Sequence, residues 1–383
     1  MKKSLLAVAV LGAFAGAASA QSSVTLFGVV DLSVNSIENG SNRLRSMDSN
    51  QLNSNRLGFR GTEDLGGGLL ASFWLEGGMA NDTGSPTGFN FQRRSTVSLT
   101  SKMGELRLGR DYTNSFSTVA TFDAYGANGF GNMSYLYASD QRTLANGVTK
   151  TLALGSVLGS GATTSVRANN MVGYFLPGDL GGLYGSVQVA AGEAVKGNKY
   201  VGGRLGWAAG PLNVSAGFSQ TDVAADSKYK TANIGASYDF GVFKLLGFLD
   251  ERKFAALKYS TYAVSTSIPM GQGEFRASYS KGNASGVGGA VAAVAEKAAK
   301  PGSAGTAAAA AIAAYDTRDN DATLFGVEYI YNLSKRTALY TQYGRLQNKG
   351  ASNIQLGGVT TDADITKGGF TSTGYGVGVR HSF

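Results

Sequence analysis

Cysteine is absent from the 383 residues, and proline and histidine are scarce, with five residues and one. The absence of cysteine excludes disulfides, thiolate nucleophiles and Cys-ligated metal sites. A Ser-His-Asp site would have only His381 as its base. No apolar run is long enough, without interruption, for a spanning helix. These shortages exclude disulfide-stabilised domains and thiol enzymes and argue against a helical membrane protein.

The chain begins with the three parts of a secretory signal peptide. Two lysines precede an apolar run over 5–18, and small residues ending at Ala20 form a cleavage site. We predict that residues 1–20 are removed and that 21–383 form the mature chain. Loss of the two lysines lowers the formal charge from +8 to +6. Because this mild excess is dispersed rather than clustered, it does not indicate a nucleic-acid surface.

Most of the chain alternates between apolar and polar residues with a period of two, which indicates strands with one apolar and one wet face. A soluble β-sandwich also alternates. Runs of about ten residues, however, match tilted strands that cross a bilayer, whereas globular strands are shorter. We predict sixteen strands at 23–35, 51–62, 68–78, 91–100, 104–111, 165–176, 182–193, 200–209, 212–221, 231–240, 242–250, 257–267, 273–281, 321–331, 336–346 and 370–383.

The predicted connections fall into two classes. Those at 63–67, 177–181, 210–211, 240–241 and 332–335 are tight, whereas those at 36–50, 112–164, 282–320 and 347–369 are long. Short turns on one side and long loops on the other are typical of an outer-membrane barrel. The sequence therefore predicts an all-β fold, a transmembrane antiparallel β-barrel of 16 strands with both termini on the periplasmic side.

One low-complexity tract interrupts this pattern. Residues 288–314 are dominated by Ala and Gly but are broken by charged residues and Pro301, so we interpret them as part of a long external loop, 282–320. Nearby, Asp316, Asp319 and Asp321 lack the full spacing of a calcium loop, although weak cation binding stays open. We predict no metal site and no cofactor.

The last strand ends on an aromatic residue. Tyr375, Val377, Val379 and Phe383 occupy alternate positions, a pattern that the outer-membrane barrel assembly machinery recognises; an ordinary closing strand of a soluble sheet is the alternative. His381 has the same parity, which directs it away from the lumen. We therefore predict no catalytic site.

Five segments carry a family resemblance. They are SSVTLFGVVDL (22–32), NRLGFRGTEDLGGGLLASFWLEGG (55–78), FQRRSTVSLTSKMGELRLGRDYT (91–113), NLSKRTALYTQYG (332–344) and YGVGVRHSF (375–383). In this order they resemble the general porins of β-proteobacteria from end to end. The resemblance implies a homotrimer of 16-stranded barrels with an inward-folded third external loop. Here that constriction loop would be 112–137, with FDAYGANGF (122–130) at its narrowest part.

Charged residues on the polar parity are the candidate filter. Arg56, Arg60, Arg94 and Arg167 should point into the lumen, although each alone could be an ordinary solvated wall residue. Together with Glu76, Asp111 and Asp123, they resemble the family's arrangement of a basic wall against an acidic loop. Arginine keeps its charge at all relevant pH values and lowers the barrier for anions.

The sequence thus predicts passive diffusion of small hydrophilic solutes, with anions preferred, through a water-filled pore in the outer membrane. A substrate-specific uptake channel for small organic anions and a surface adhesin or receptor are the alternatives. The expected partners are two further copies of the chain, outer-membrane lipid and lipopolysaccharide, the barrel assembly machinery, and small anionic or neutral solutes.

Overall fold

The computed structural model describes residues 23–84, 88–136, 164–193, 199–223, 227–254, 257–285, 321–350, 352–357 and 368–383. The predicted signal peptide (1–20), the Ala/Gly-rich tract (288–314), Asp316 and Asp319 lie outside these ranges, as does the last residue of the predicted constriction loop, 137.

The described chain is almost entirely antiparallel sheet. Its strands are β1 (Ser23–Asn39), β2 (Asn42–Ser49), β3 (Arg56–Asp64), β4 (Leu70–Gly78), β5 (Arg94–Ser101), β6 (Gly104–Tyr112), β7 (Arg167–Phe175), β8 (Leu183–Ala190), β9 (Tyr200–Ala209), β10 (Leu212–Val223), β11 (Ser227–Asp239), β12 (Lys244–Phe254), β13 (Leu257–Met270), β14 (Gly273–Ser285), β15 (Asp321–Asn332), β16 (Thr337–Asn348) and β17 (Thr371–Ser382). One helix, α1 (Asn114–Phe122), and a 3-10 turn (Met133–Leu136) follow β6.

The sheet closes on itself through β1. Its second half pairs with β17, and its other edge pairs first with β3 and then with β2. Strands β2 and β3 are therefore two parts of one position in the sheet, interrupted at residues 50–55. The 17 strands form a closed barrel of 16 positions, as predicted, and closure removes unpaired strand edges.

The prediction of a long loop at 36–50 is wrong. Strand β1 continues to Asn39, turns at Gly40, where φ is +61°, and pairs along β2 as a hairpin. Alternation fails to reveal β2 because one face carries Arg43, Arg45 and Met47 and the other carries Leu44, Ser46 and Asp48. Both faces are thus largely polar, and no contrast of hydropathy remains.

The alternating residues take the two faces of the wall. Apolar side chains point outward, as shown by Val34, Val187 and Val264, which are 57, 61 and 54 % exposed. Polar side chains point inward, where many are covered by the chain that fills part of the lumen. This is the inverse of a soluble barrel and suits a wall between lipid and water.

Turns at one end of the barrel are short. Asp64 and Leu70 are joined through Gly66, Gly67 and Gly68, all with positive φ, which glycine adopts without strain. The other end carries the connections after β4, β6, β14 and β16, which are much longer. Among the described residues, no helix has the length and apolar character needed to cross a membrane.

Candidate functional site: the lumen constriction

Strands β3 to β7 carry a wall of arginines on their inner face. Six guanidinium groups and three carboxylates share this wall: Arg56, Arg60, Arg93, Arg94, Arg107 and Arg167, with Glu76, Glu105 and Asp111. Arg93 immediately precedes β5. We call this set the arginine wall. Its formal excess of positive charge is what an anion passing along it would meet first.

Glu76 binds two of these arginines. Its Oε1 lies 2.6 Å from Arg93 Nε and 3.6 Å from Arg56 Nη1, and its Oε2 accepts a hydrogen bond of 3.1 Å from Trp74 Nε1. One carboxylate is thus shared by two cations. The Glu76 carboxylate therefore neutralises only part of the charge of Arg56 and Arg93. Charge-assisted hydrogen bonds on both of its oxygens hold it in place.

Asp111, two strands further on in β6, is likewise shared by two arginines. Its Oδ2 lies 2.6 Å from Arg107 Nη1 and 3.3 Å from Arg94 Nε, and Arg107 also binds Glu105 through two nitrogens, each at 2.8 Å. The expectation that Asp111 belongs with an acidic loop opposite the arginines is therefore corrected, whereas Glu76 lies on the inner face of its strand as expected. Both lie in the arginine wall, because their inward parity on β6 and β4 places them beside the cations.

Two residues of the arginine wall, Arg60 and Arg167, have no ion pair with any described residue. Arg60 lies over the rings of Phe27 and Trp74, at 5.4 and 5.1 Å from the centroids, and its side chain is exposed to the lumen. Arg167 lies 4.4 Å from the centroid of Tyr112. Stacking fixes the guanidinium planes without neutralising them. These two residues carry the wall's least compensated charge.

The facing wall inverts this pattern. On β14 and β15, Arg276 is shared by two carboxylates, with Nε 2.6 Å from Glu274 and Nη1 3.3 Å from Glu328. Two cations share one anion on one side of the lumen, and two anions share one cation on the other. The charged groups on the two sides of the barrel thus follow opposite patterns, although Glu328 is buried, with 2 % of its surface exposed.

Helix α1 lines the inside of β8 to β12. Asn114 N–H donates to Tyr200 Oη at 3.1 Å, and Asn233 donates to the Ser115 carbonyl at 3.0 Å. The helix approaches so closely that a Cβ on Gly235 would lie 2.2 Å from the ring of Phe122. The small size of glycine on the inner face of β11 therefore lets the helix pack directly against the wall.

Asp123, predicted to face the arginines, instead organises the loop after α1. Its carboxylate accepts backbone hydrogen bonds from Tyr125 and Ala127, each 3.0 Å long. The side chain is buried, and this burial raises its pKa to about 6. Asp123 therefore shapes the tight turn that contains Ala127, a non-glycine residue at φ +61°. It is not an acidic group in the passage.

The tip of the loop docks on the opposite side of the barrel. Phe130 N–H donates to Gln342 Oε1 at 3.0 Å, and Ser278 donates to the Gly131 carbonyl at 2.6 Å. Above it, apolar side chains on the inner face of the external half form a core that includes Ile37, Phe130, Leu136, Leu324, Leu346, Ile354 and Leu356. This core fills part of the external lumen on that side.

Residues 50–55, between β2 and β3, form a second inward element that the sequence did not reveal. Asp31, which is 0 % exposed, accepts hydrogen bonds from the backbone N–H groups of Leu52 and Asn53 at 2.8 and 2.6 Å and from Tyr340 Oη at 2.6 Å. Ser54 donates to Asn128 in the loop at 2.8 Å. The segment and the loop tip therefore brace each other.

A cavity of about 600 Å³ remains between these parts. Its lining includes Asn50, Gln51, Ser54, Arg93, Asn128, Asn132, Tyr135 and Arg167. Arginines and carboxamides can together bind a carboxylate or phosphate while keeping the passage wet.

Sequence reasoning missed Arg93, Arg107 and Arg204. Arg107 shares inward parity with Glu105 and Asp111, so that signal was available. Arg93 has the wrong parity for β5 and faces inward only because it precedes the first paired residue, Arg94. Arg204 on β9 reaches Thr121 of α1 at 2.8 Å, a contact that requires knowledge of where the helix lies.

The terminal residues lie on the outer face. Tyr375, Val377 and Val379 are 56, 59 and 47 % exposed, and the Phe383 ring occupies the space beside Gly28. His381 is exposed on the same face and lies 2.9 Å from Thr337 Oγ1. Within the described part of the chain, no three potential ligands among His, Asp and Glu cluster as a metal site would require.

Comparison with known proteins agrees with this architecture. The chain is 36 % identical, over the whole length of both proteins, to outer membrane porin protein 32 of Delftia acidovorans. It is 30 % identical, again over both full lengths, to an outer membrane porin protein of Bordetella pertussis.

Solved structures agree as well. The anion-selective porin from Comamonas acidovorans is 31 % identical, with a TM-score of 0.72, and 95 % of this chain covers 100 % of that one. The trimer form of OmpT, an outer membrane protein of Vibrio cholerae, shares the fold at 14 % identity, with a TM-score of 0.62 and coverage of 94 and 99 %. The profile of the Gram-negative porin family matches residues 7–351. The chain is therefore an outer-membrane porin and belongs to the Gram-negative porin family.

Proposed function

We propose that this porin is an anion-preferring diffusion channel whose filter is the arginine wall. The observation that carries the proposal is the excess of six arginines over three carboxylates, with Arg60 and Arg167 outside any ion pair among the described residues. In a narrow passage with low-dielectric walls this excess lowers the barrier for anions and raises it for cations.

Reversal potentials in planar bilayers under a salt gradient test the proposal. We expect the native channel to prefer anions, and Arg167→Ser to move the potential towards cations. Arg94→Ser should move it less, because Arg94 is already paired with Asp111. Arg345→Ser is the matched control, since Arg345 is exposed on the outer face. Cation preference in the native channel would refute the proposal.

The cavity beside the loop supports a second candidate, selective uptake of small organic anions. Arg93 and Arg167 offer charge, and Asn50, Asn128 and Asn132 offer carboxamides, within one space of about 600 Å³. A channel with this specificity would show saturable conductance and block by small dicarboxylates at concentrations where chloride produces none. A linear dependence on solute concentration would favour general diffusion.

We further propose that the mature protein is a homotrimer of chains cleaved after Ala20, in contact with lipopolysaccharide and recognised by the barrel assembly machinery through its last strand. The homotrimer is supported by the trimer form of a similar solved structure. Recognition by the assembly machinery is supported by the outward-facing row of residues that ends at Phe383. Cross-linking of the native oligomer, with N-terminal sequencing of the same sample, tests oligomeric state and cleavage together.

A further inference from the structure

Three lysines oppose one another on the outer face of the barrel. In the register of β11, β12 and β13, Lys230 lies directly opposite Lys253, and Lys253 directly opposite Lys258. We call these three residues the lysine row. Side chains in directly opposite positions are close neighbours, and like charges there repel each other. Three lysines side by side therefore destabilise the sheet unless an anion offsets their charge.

Among the described residues, one carboxylate forms ion pairs with the lysine row. Glu251 lies 2.6 Å from Lys253 Nζ and 2.6 Å from Lys258 Nζ. Lys230 has no ion pair with any described residue, and Lys281 adds a further exposed cation on β14, opposite Tyr262. Lys228 precedes the row on β11 and lies opposite Asp222. The patch as a whole keeps an excess of positive charge.

The row lies at a defined height on the barrel. On β11 the outward residues below Lys230 include Ile234, 51 % exposed, and the series ends at Tyr238, 43 % exposed and close to the short turns. Eight residues of strand span about 26 Å along the strand. At the strand tilt of about 40° typical of such barrels, this length corresponds to about 20 Å along the membrane normal, so that the ammonium groups at the ends of the long lysine side chains reach the edge of an apolar band about 25 Å tall. Lys230, Lys253 and Lys258 therefore lie where the external leaflet ends and its polar groups begin.

We propose that the lysine row binds the phosphate groups of lipopolysaccharide in the external leaflet. Lipopolysaccharide combines acyl chains, which fit the apolar surface below the row, with phosphates at the height of the lysines. Lysine is suited to this position because its stem follows the apolar wall while its ammonium group reaches the polar layer. The inference deepens the lipid contact proposed above and depends on the outer-membrane placement of the barrel, but not on its ion selectivity.

Titration of the purified oligomer with bis-phosphorylated lipid A, followed by native mass spectrometry, tests the inference. We expect the native protein to retain lipid A and the variant Lys230→Gln, Lys253→Gln, Lys258→Gln to bind it at least about tenfold more weakly. Dephosphorylated lipid A should bind both proteins equally weakly. The matched control is Lys102→Gln, Lys335→Gln, which removes two exposed lysines from the short turns at the opposite end.

Two further measurements make the result decisive. The triple Lys→Arg variant should bind like the native protein, because charge and height are kept, and all variants should keep native conductance, which shows that the barrel is folded and separates this proposal from that of anion selectivity. Equal binding by the triple Gln variant would overturn the inference. So would displacement of lipid A by millimolar inorganic phosphate, or a change of oligomeric state in the triple Gln variant, since these would assign the row to free anions or to another copy of the chain.

Discussion

Trp74 shows how a single uncharged residue can position the filter. Its ring lies under two guanidinium groups, 5.1 Å from Arg60 and 4.5 Å from Arg94, and its Nε1 donates to Glu76. Long arginine side chains in water would otherwise sample many rotamers. Stacking on one indole restricts both, so that their N–H edges stay directed at the passage.

We expect Trp74→Leu to lower the anion-to-cation permeability ratio about two- to fivefold, since each cation–π contact contributes about 0.5–1 kcal/mol. Trp74→Phe should keep most of the effect because a ring remains. Reversal potentials measure the ratio. Trp207→Leu is the control, because Trp207 is the other tryptophan and lies on the outer face. If both leucine variants behave alike, stacking by Trp74 does not position the filter.

Asp123 gives the loop a pH dependence. Because its pKa in the folded loop, about 6, lies above the ordinary value of 3.8, the folded state holds the proton more tightly than the unfolded state. This contribution to stability is fully present below about pH 4 and is lost as the pH rises through 6. It amounts to about 3 kcal/mol.

The neutral variant Asp123→Asn should therefore remove the part of the pH dependence that falls between pH 4 and 6. Thermal unfolding of the purified protein at a series of pH values measures it. We expect the native protein to lose stability relative to the variant as the pH rises through this window. Parallel curves for the two proteins would mean that the carboxylate is stabilised by its backbone hydrogen bonds as fully as by water.

At the scale of elements, residues 50–55 are held against the inner face of the barrel by Asp31 and contact the loop after β6 through Ser54 and Asn128. Replacing Asp31 by Ala leaves the buried N–H groups of Leu52 and Asn53 without their acceptor, which costs about 1–3 kcal/mol for each. We expect the segment to detach from the wall, with larger and noisier single-channel conductance. Val34→Ala, on the outer face of the same strand, is the control. Unchanged conductance and noise in Asp31→Ala would show that the segment does not limit the pore.

The strands could be predicted because membrane-spanning sequence must alternate, but their ends could not. We predicted strands at 231–240 and 242–250. In the structure β11 already begins at Ser227, and β12 extends to Phe254. Beyond the bilayer both faces are wet, so alternation stops while backbone pairing continues. The break at 50–55 was missed for another reason: it depends on Asp31, which is 0 % exposed and distant in sequence.

The candidate site was predictable only in part, because parity tells which face a residue takes but not what it meets there. Arg60, Arg94 and Arg167 do lie in the lumen. Asp111 and Asp123 were placed by analogy in an acidic loop opposite these arginines, but Asp111 pairs with Arg94 and Arg107 in the wall, and Asp123 accepts hydrogen bonds within its own loop. Partners across the barrel belong to tertiary structure, and no local spacing encodes them.

At the scale of the whole molecule, the proposed anion preference depends on how charge is distributed between the arginine wall and the strands on the other side of the barrel. The arginine wall carries paired cations on shared anions, such as Arg56 and Arg93 on Glu76, and the facing wall carries Glu274 and Glu328 on Arg276. The electric field of charges on the lumen wall is screened by the dissolved salt, so the distance over which it acts depends on the ionic strength. The screening length falls from about 10 Å at 0.1 M salt to about 3 Å at 1 M.

Anion preference should therefore weaken as salt is raised at a constant concentration ratio across the bilayer. We expect the reversal potential to approach zero near 1 M salt, where only ions in direct contact with Arg60 or Arg167 still experience them. In the variant Arg167→Ser the reversal potential should be smaller at low salt and should change less as salt is raised, because this variant lacks part of the positive charge of the arginine wall. Reversal potentials at four or five salt concentrations measure both curves. A preference independent of salt would instead locate selectivity in a single contact site, such as the cavity lined by Arg93 and Arg167.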